Sequence, residues 1–365
     1  MTVIPPFRTE LTTTQKDTFL TAAIQILNSG RLTLGPYTQQ LEEAFADLTR
    51  TEHAVAVSSG TSAIEIILRA LDLSGTDVLV PANTNYATAE AVIRAGAHPI
   101  LYDAGLTATL DAINAAHTPR TRAVILVHIG GHITPDLDNI THHATTHDLL
   151  IIEDAAHAHG SSTDDRPAGS LGNAAAFSTF ATKILSTGEG GLITSNDLHL
   201  AQRARQYRDQ GKNPDGLNTV FGSAWRLPEL SAALGLAQLT TPTPMQHGHN
   251  LLRTYAQRIR HPQVTVPFRS GHRYSGHKAI VQLPSPILRN HLHDHLTTNG
   301  ITPARGVYEH PLHHQSALGF TGTYPLADHF AATHLCLPLW PGLTPDQQEH
   351  IINAVNTWNP PHNQA

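Results

Sequence analysis

The sequence predicts an α/β protein, a doubly wound layer of mainly parallel strands and helices followed by a smaller α+β region. Three observations predict it. Between about residues 52 and 240, short apolar runs alternate with helix-like stretches, the signature of a parallel sheet wrapped by helices. A chain of 365 residues with 40% hydrophobic composition exceeds the size at which one core stops growing, so a large domain plus a smaller one is expected. Beyond the helix expected from Pro228 to Leu239 comes Thr240-Thr-Pro-Thr-Pro-Met245, whose two prolines cannot continue a helix and mark a linker. The expected division is residues 1–240 and residues 241–365.

Strands are expected at His53 to Val57, Asp77 to Pro81, His98 to Tyr102, Arg122 to His128, Leu149 to Asp154, Ala175 to Phe180 and Gly191 to Thr194, each a short run rich in apolar residues. Helices are expected between them, as at Ser62 to Leu71, Ala87 to Ala95 and Asp136 to His147, where apolar residues recur at helical spacing.

The composition excludes several classes of function. The formal net charge is -6, and 23 Lys+Arg are spread without a basic run, which excludes a nucleic-acid footprint. Met1 to Glu10 (MTVIPPFRTE) carries no export signal, and no apolar stretch is long enough for a bilayer, so a soluble cytoplasmic protein without membrane contact is expected. The single cysteine, Cys336, forms no internal disulfide and reads as a small buried hydrophobe. Histidine is abundant at 26, and the groups His291-Leu-His-Asp-His295 and His142-His143 with His147 have helical ligand spacing. They lie on helices that carry an apolar stripe, and no Cys or Glu ligands accompany them. A solvated helix face, with no metal, is the expected reading.

The residues that carry chemistry cluster between Leu149 and Ser195. Ile151-Ile152 lead into Glu153-Asp154 at the carboxyl end of a strand, where α/β sheets place ligands, although a lone carboxylate there also suits a helix cap. Lys183, one of only four lysines, follows a strand-like apolar run and precedes the turn Gly188-Glu-Gly-Gly191. Burying an ammonium is costly unless it is paired or its charge is removed. A Schiff base to an aldehyde cofactor removes the charge, and pyridoxal 5'-phosphate (PLP) sites pair such a lysine with an acid on the pyridinium nitrogen. A phosphate also needs the backbone N–H groups of a helix N-terminus and hydroxyl donors; Ser58-Ser-Gly-Thr-Ser62 before a helix, with Ser178, supplies both.

The runs SGRLTLGPYTQQLEEAFA, SSGTSAI, VPANTNYAT, IIEDAAHAHG, FSTFATKILSTGEGG and WRLPELSAALGLAQL, with Pro311-Leu312-His313 near the end, resemble the motifs of the DegT/DnrJ/EryC1/StrS aminotransferases. They stand in the family's order across about residues 3 to 355. The resemblance implies a PLP-dependent transferase of fold type I, aspartate aminotransferase-like, with the smaller α+β domain at the C-terminus. It also implies a homodimer with shared active sites. The implied reaction moves an amino group from an amino acid, L-glutamate or L-glutamine, to a keto-sugar such as a nucleotide-linked keto-deoxysugar or a cyclitol ketone, in amino-sugar or antibiotic biosynthesis.

Carried over by position, Lys183 matches the Schiff-base lysine and Asp154 the carboxylate on the pyridine nitrogen. Gly60, Thr61, Ser62 and Ser178 match the phosphate cradle, and His157 a residue beside the 3-hydroxyl. Arg226 matches an arginine that reaches the neighbouring subunit's site, and His313 a substrate-side histidine. Three positions depart from the pattern. Ala224 replaces a motif asparagine, so its cross-subunit phosphate contact is lost or passes to Ser223. Asn85 stands where an aromatic residue is expected, on the substrate or cross-subunit side, so ring stacking passes to Tyr86 or is absent. His128 to His132 (HIGGH) replaces the usual loop near the cofactor. Two other readings remain: a PLP-dependent dehydratase of a keto-deoxysugar, which would carry histidine in place of Lys183, and a regulatory protein that binds PLP or a sugar without turnover.

Overall fold

Val55, Val57, Val78, Val80 and Ile125 alternate along their strands with Ala54, Ala56, Leu79 and Val124, and both sets are buried. A strand that is apolar on both faces must be covered on both faces, and the computed structural model, which describes residues 3–239 and 243–361, shows this arrangement. Seven strands form the central sheet: β1 (His53–Val57), β2 (Asp77–Pro81), β3 (His98–Tyr102), β4 (Thr121–Val127), β5 (Leu150–Asp154), β8 (Ala174–Ser178) and β9 (Gly191–Ser195). Their order is β1-β9-β8-β5-β4-β2-β3. The two-residue strands β6 (Ser162–Thr163), β7 (Arg166–Pro167) and β10 (His272–Arg273) make a separate ladder.

Helices α3 (Gly60–Ala70), α4 (Tyr86–Arg94) and α7 (Leu198–Arg208) bury their apolar stripes on one face of the sheet. Helices α2 (Pro36–Thr49), α5 (Leu110–Ala116) and α6 (Leu137–Thr146) cover the other. Outside them, α1 (Thr13–Ser29) packs Ala22 and Ile26 against Ala233 of α8 (Glu229–Gln238). Every expected strand and helix forms, with ends moved by one or two residues. One strand differs in direction: β9 runs antiparallel to both β8 and β1. The connection from β8 to β9 contains no crossover helix, and without one the chain can only double back.

The remaining chain builds a second core. It comprises α9 (Pro244–Arg258), α10 (Pro286–Thr298), the two-stranded sheet of β11 (Ala279–Gln282) and β12 (His334–Leu337), and α12 (Pro345–Asn356), while α11 (Pro325–Thr333) leans on the large sheet's core. Two expectations need correction. The first residues do not belong with the large domain: Ile4 is buried in the second core, its N–H donating to the Gly300 carbonyl at 2.9 Å and its carbonyl accepting from Thr302 at 2.9 Å. The expected linker falls partly on residues 240–242, outside the described residues, and Pro244 starts a helix rather than ending one, with the Thr243 hydroxyl accepting from the Gln246 N–H. Cys336 is buried in β12, as its composition suggested. Among the described residues, no helix is long and apolar enough to cross a membrane.

Candidate active site

A cavity of about 220 Å³ opens at the carboxyl ends of β5 and β8, and the N-termini of α3 and α4 point into it. Its wall brings together Gly60, Thr61, Asn85, Asp154, Ser178 and Lys183, residues spread over more than a hundred positions of sequence.

The α3 end of the cavity is built for an anion. The Ser59 hydroxyl accepts from the Ser62 N–H at 3.0 Å, and Ser62 Oγ accepts in return from the Ser59 N–H at 3.0 Å. This capping box leaves the N–H groups of Gly60 and Thr61 free of helical partners at the positive end of the helix. Ser62 is engaged in this cap, and the cavity wall does not include it. Close approach makes two glycines necessary. A Cβ at Gly60 would lie 2.8 Å from Ser178 Cβ, and one at Gly191 would lie 2.4 Å from the Ser59 carbonyl. Any side chain at either position would push α3 away from the ends of β8 and β9.

Asp154 ends β5 and is buried. Its Oδ2 accepts from Thr88 Oγ1 at 2.8 Å, Thr88 accepts from Thr84 Oγ1 at 3.0 Å, and Oδ1 accepts from the Ala156 N–H at 3.2 Å. The neighbouring Glu153 points the opposite way, as strand alternation requires, and is wholly structural. It accepts from the N–H groups of Gly169, Leu171 and Gly172 and pairs with His128 Nε2 at 2.9 Å.

Lys183 sits on the turn between β8 and β9, its N–H bonded to the Phe180 carbonyl at 2.8 Å. Burial pushes its ammonium down to about 8; the Asp154 carboxylate opposes this, and the Lys278 charge adds to it. An amine in that range exists partly as the free base near neutral pH, the form a Schiff-base nucleophile or a proton carrier needs.

His157 lies just behind the wall. Its Nδ1 accepts from the Gly130 N–H at 3.3 Å, its ring stacks on Tyr308 with centroids 5.7 Å apart, and the His277 ring packs against it at a tilt of 51° and 4.5 Å. Burial and the charges of Lys183 and Lys278 hold it neutral, well below the usual imidazole range. Gly130 and Gly131, both at positive φ, shape the HIGGH loop so that its backbone meets His157.

Besides Ser62 and His157, the expected residues Tyr86, Arg226 and His313 lie off this wall, whereas Asn85 lines it. Asn85 caps α4, accepting from the Ala87 N–H at 2.9 Å, and faces the cavity; Tyr86, expected to stack there, begins the helix on the outer side, is 39% exposed and does not line the wall. Arg226 is ion-paired with Asp209 of its own chain. Its segment is pinned to the cavity's base by the Ser58 N–H donating to the Trp225 carbonyl at 2.8 Å. His313 stands on the 3-10 turn Leu312–His314, its Nε2 3.0 Å from Asp328 Oδ1. Sequence reading missed Thr88 as the donor to Asp154 and Tyr308 as a wall residue; the only signal for Thr88 was its place in VPANTNYAT, and Tyr308 had none.

A family model for the DegT/DnrJ/EryC1/StrS aminotransferase family matches residues 13–356. The chain belongs to this family. Its members are PLP-dependent aminotransferases, and this chain is an aminotransferase of the same fold type. It is 42% identical over 212 residues to the GDP-perosamine synthase of Caulobacter vibrioides, a match spanning 56% of this chain and 57% of the synthase. It is 32% identical over 345 residues to the pleiotropic regulatory protein of Geobacillus stearothermophilus, covering 91% of each. Among solved structures, S. venezuelae DesV in complex with a ketimine intermediate superposes with a TM-score of 0.88 at 31% identity, covering 98% of this chain and 99% of that one.

Proposed function

We propose that this aminotransferase moves an amino group from L-glutamate or L-glutamine to a keto-sugar, a nucleotide-linked keto-deoxysugar or a cyclitol ketone, with PLP in the cavity described above. The observation that carries the reading is the convergence of a half-buried lysine, a buried carboxylate and a free helix N-terminus on one cavity. The donor set fits the cofactor. The free N–H groups of Gly60 and Thr61, with the hydroxyls of Thr61 and Ser178, suit its phosphate, Asp154 suits a protonated ring nitrogen, and Lys183 suits its aldehyde. The GDP-perosamine synthase among the similar proteins supports a sugar acceptor.

When bound, the cofactor supplies an electron sink for charge at the donor carbon. The protein supplies the rest. Asp154, held by Thr88 and Ala156, keeps a proton on the ring nitrogen through its buried carboxylate. Lys183, its basicity lowered by burial, takes the proton from the α-carbon of the amino donor and returns one during transfer to the acceptor. His157, neutral with Nδ1 occupied by the Gly130 N–H, carries its proton on Nε2 and would donate from there to the cofactor's 3-hydroxyl.

We also propose a homodimer in which Arg226 completes the partner's site. Arg226 does not line its own chain's cavity, and Phe221, five residues earlier, is 96% exposed, a surface that a second copy would cover. Lys183 distinguishes the transaminase from a dehydratase, and its place beside Asp154 supports turnover over passive binding. The experiment is a panel: purified protein with PLP, glutamate or glutamine, and keto-sugars or inososes, following the visible cofactor band and the amino product. Bleaching by glutamate and amination of one acceptor are expected, together with borohydride labelling at Lys183 that Lys183→Ala abolishes. A band that glutamate leaves unchanged, or labelling at Lys16, Lys212 or Lys278, overturns the proposal.

A further inference from the structure

Outside the cofactor cavity, one cluster of side chains presents the donor set of a transition-metal site. His313 and His314 are adjacent on the turn Leu312–His314, and Asp328 lies in the first turn of α11. The Nε2 atoms of His313 and His314 lie 3.0 Å and 3.3 Å from the same oxygen, Asp328 Oδ1. All three donor atoms lie within 4.8 Å of one another. Metal–ligand bonds of about 2.0–2.1 Å at tetrahedral angles put ligand atoms about 3.3 Å apart, so the two nitrogen–oxygen spacings already approximate the edges of such a tetrahedron. Two imidazoles and one carboxylate form the open three-ligand set that zinc-class cations accept, with water in the fourth position. Exposure agrees with an open site: the His313 side chain is 6% exposed and packed beside Tyr324, while those of His314 and Asp328 are 53% and 43% exposed toward solvent.

The backbone that carries these ligands is fixed at both ends. The Leu312 N–H donates to the Ala82 carbonyl at 2.8 Å, just beyond β2. The Leu326 and Ala327 N–H groups, at the start of α11, donate to Asp103 at 3.0 and 2.9 Å. Tyr308, five residues before His313, lines the cofactor cavity. The histidine group His117, His143 and His147 provides a contrast. Its rings also gather, with the His143 and His147 centroids 4.0 Å apart, but His147 Nδ1 lies 2.9 Å from the His143 carbonyl. Among the described residues, only the His313, His314 and Asp328 set brings three donor atoms together.

We propose that His313, His314 and Asp328 bind one zinc-class divalent cation, which ties the loop carrying Tyr308 to α11. The site does not depend on the identity of the sugar substrate. The test uses tag-free holoenzyme titrated with zinc against a chromophoric chelator, and with cobalt(II) followed by its visible absorption. Wild type should hold one equivalent of zinc and give a tetrahedral cobalt band. His314→Ala and Asp328→Asn, both at half-exposed positions, should each weaken zinc by more than about tenfold and lose the band, whereas His143→Ala should retain both. Melting in the presence of chelator should be the same for all four proteins, showing that the variants fold, and zinc should raise the melting temperature of wild type and His143→Ala only. Equal zinc binding in wild type, His314→Ala and Asp328→Asn, or no stoichiometric zinc in wild type, overturns the assignment.

Discussion

Thr88→Val removes a single oxygen at the centre of the site and keeps the shape of the side chain. Thr88 Oγ1 donates to Asp154 Oδ2 at 2.8 Å and accepts from Thr84 at 3.0 Å, so the substitution strips one carboxylate oxygen of its donor and leaves Thr84 without its acceptor. A hydrogen bond to a charged group contributes about 1.5–3 kcal/mol, and valine and threonine differ little in helix propensity, so the bond accounts for nearly all of the change. Without cofactor, Asp154 and Thr88 border an open cavity where water can replace part of the lost bond, so the stability loss should fall near the lower end, about 1.5 kcal/mol. With the ring in place that water is excluded. The remaining part then appears as weaker cofactor binding, up to about tenfold at 1.4 kcal/mol per decade. Urea unfolding of the apoprotein and PLP titration of the refolded protein measure the two parts separately. Thr88→Ser, which keeps the hydroxyl and loses a methyl, should recover the affinity. If Thr88→Val matches wild type in both unfolding midpoint and affinity, or if Thr88→Ser is as poor as Thr88→Val, the hydroxyl does not hold Asp154 and the account of this site is wrong.

Other consequences are as direct. Asp154→Asn should keep cofactor bound while turnover falls by orders of magnitude, because a neutral amide does not hold the ring nitrogen protonated; single-turnover kinetics with glutamate check this, and a near-normal rate refutes it. Burial holds the folded-state Lys183 near 8, below the 10.5 of a solvated lysine, so the unfolded chain binds more protons between those values and the apoprotein should gain stability as pH rises through that window. The difference between wild type and Lys183→Met in urea titrations isolates this term, and a difference that stays flat from pH 8 to 9.5 contradicts it. Mixing inactive Lys183→Ala and Arg226→Ala chains should restore activity in heterodimers, where one site keeps its own Lys183 and the partner's Arg226; heterodimers that form yet stay inactive place Arg226 within its own subunit.

Much of the architecture was legible in the linear sequence because sheet strands buried on two faces are short apolar runs, and the helices between them repeat at 3.6 residues. β1, β2 and β3 end where the runs end. Asp154, Lys183 and the Ser58 to Ser62 turn were legible because each sits at a strand end, where the fold places ligands. Roles that depend on which way a side chain points were not. Asn85 and Tyr86 are adjacent, and only the cap at the start of α4 turns the first toward the cavity and the second outward. That Ser62 closes a capping box with Ser59 is likewise a fact of the folded backbone.

Sequence alone thus determined the elements, the family and the placing of Lys183 and Asp154 at the ends of the strands, since these follow from local pattern and from motif order. The tertiary structure decided the antiparallel turn of β9, the return of Ile4 to the second core, the Thr84–Thr88–Asp154 relay, and the wall that Tyr308 completes. Each joins residues tens to hundreds of positions apart. Such contacts leave no periodic trace, because they are set by how separately formed elements pack rather than by the residues beside them.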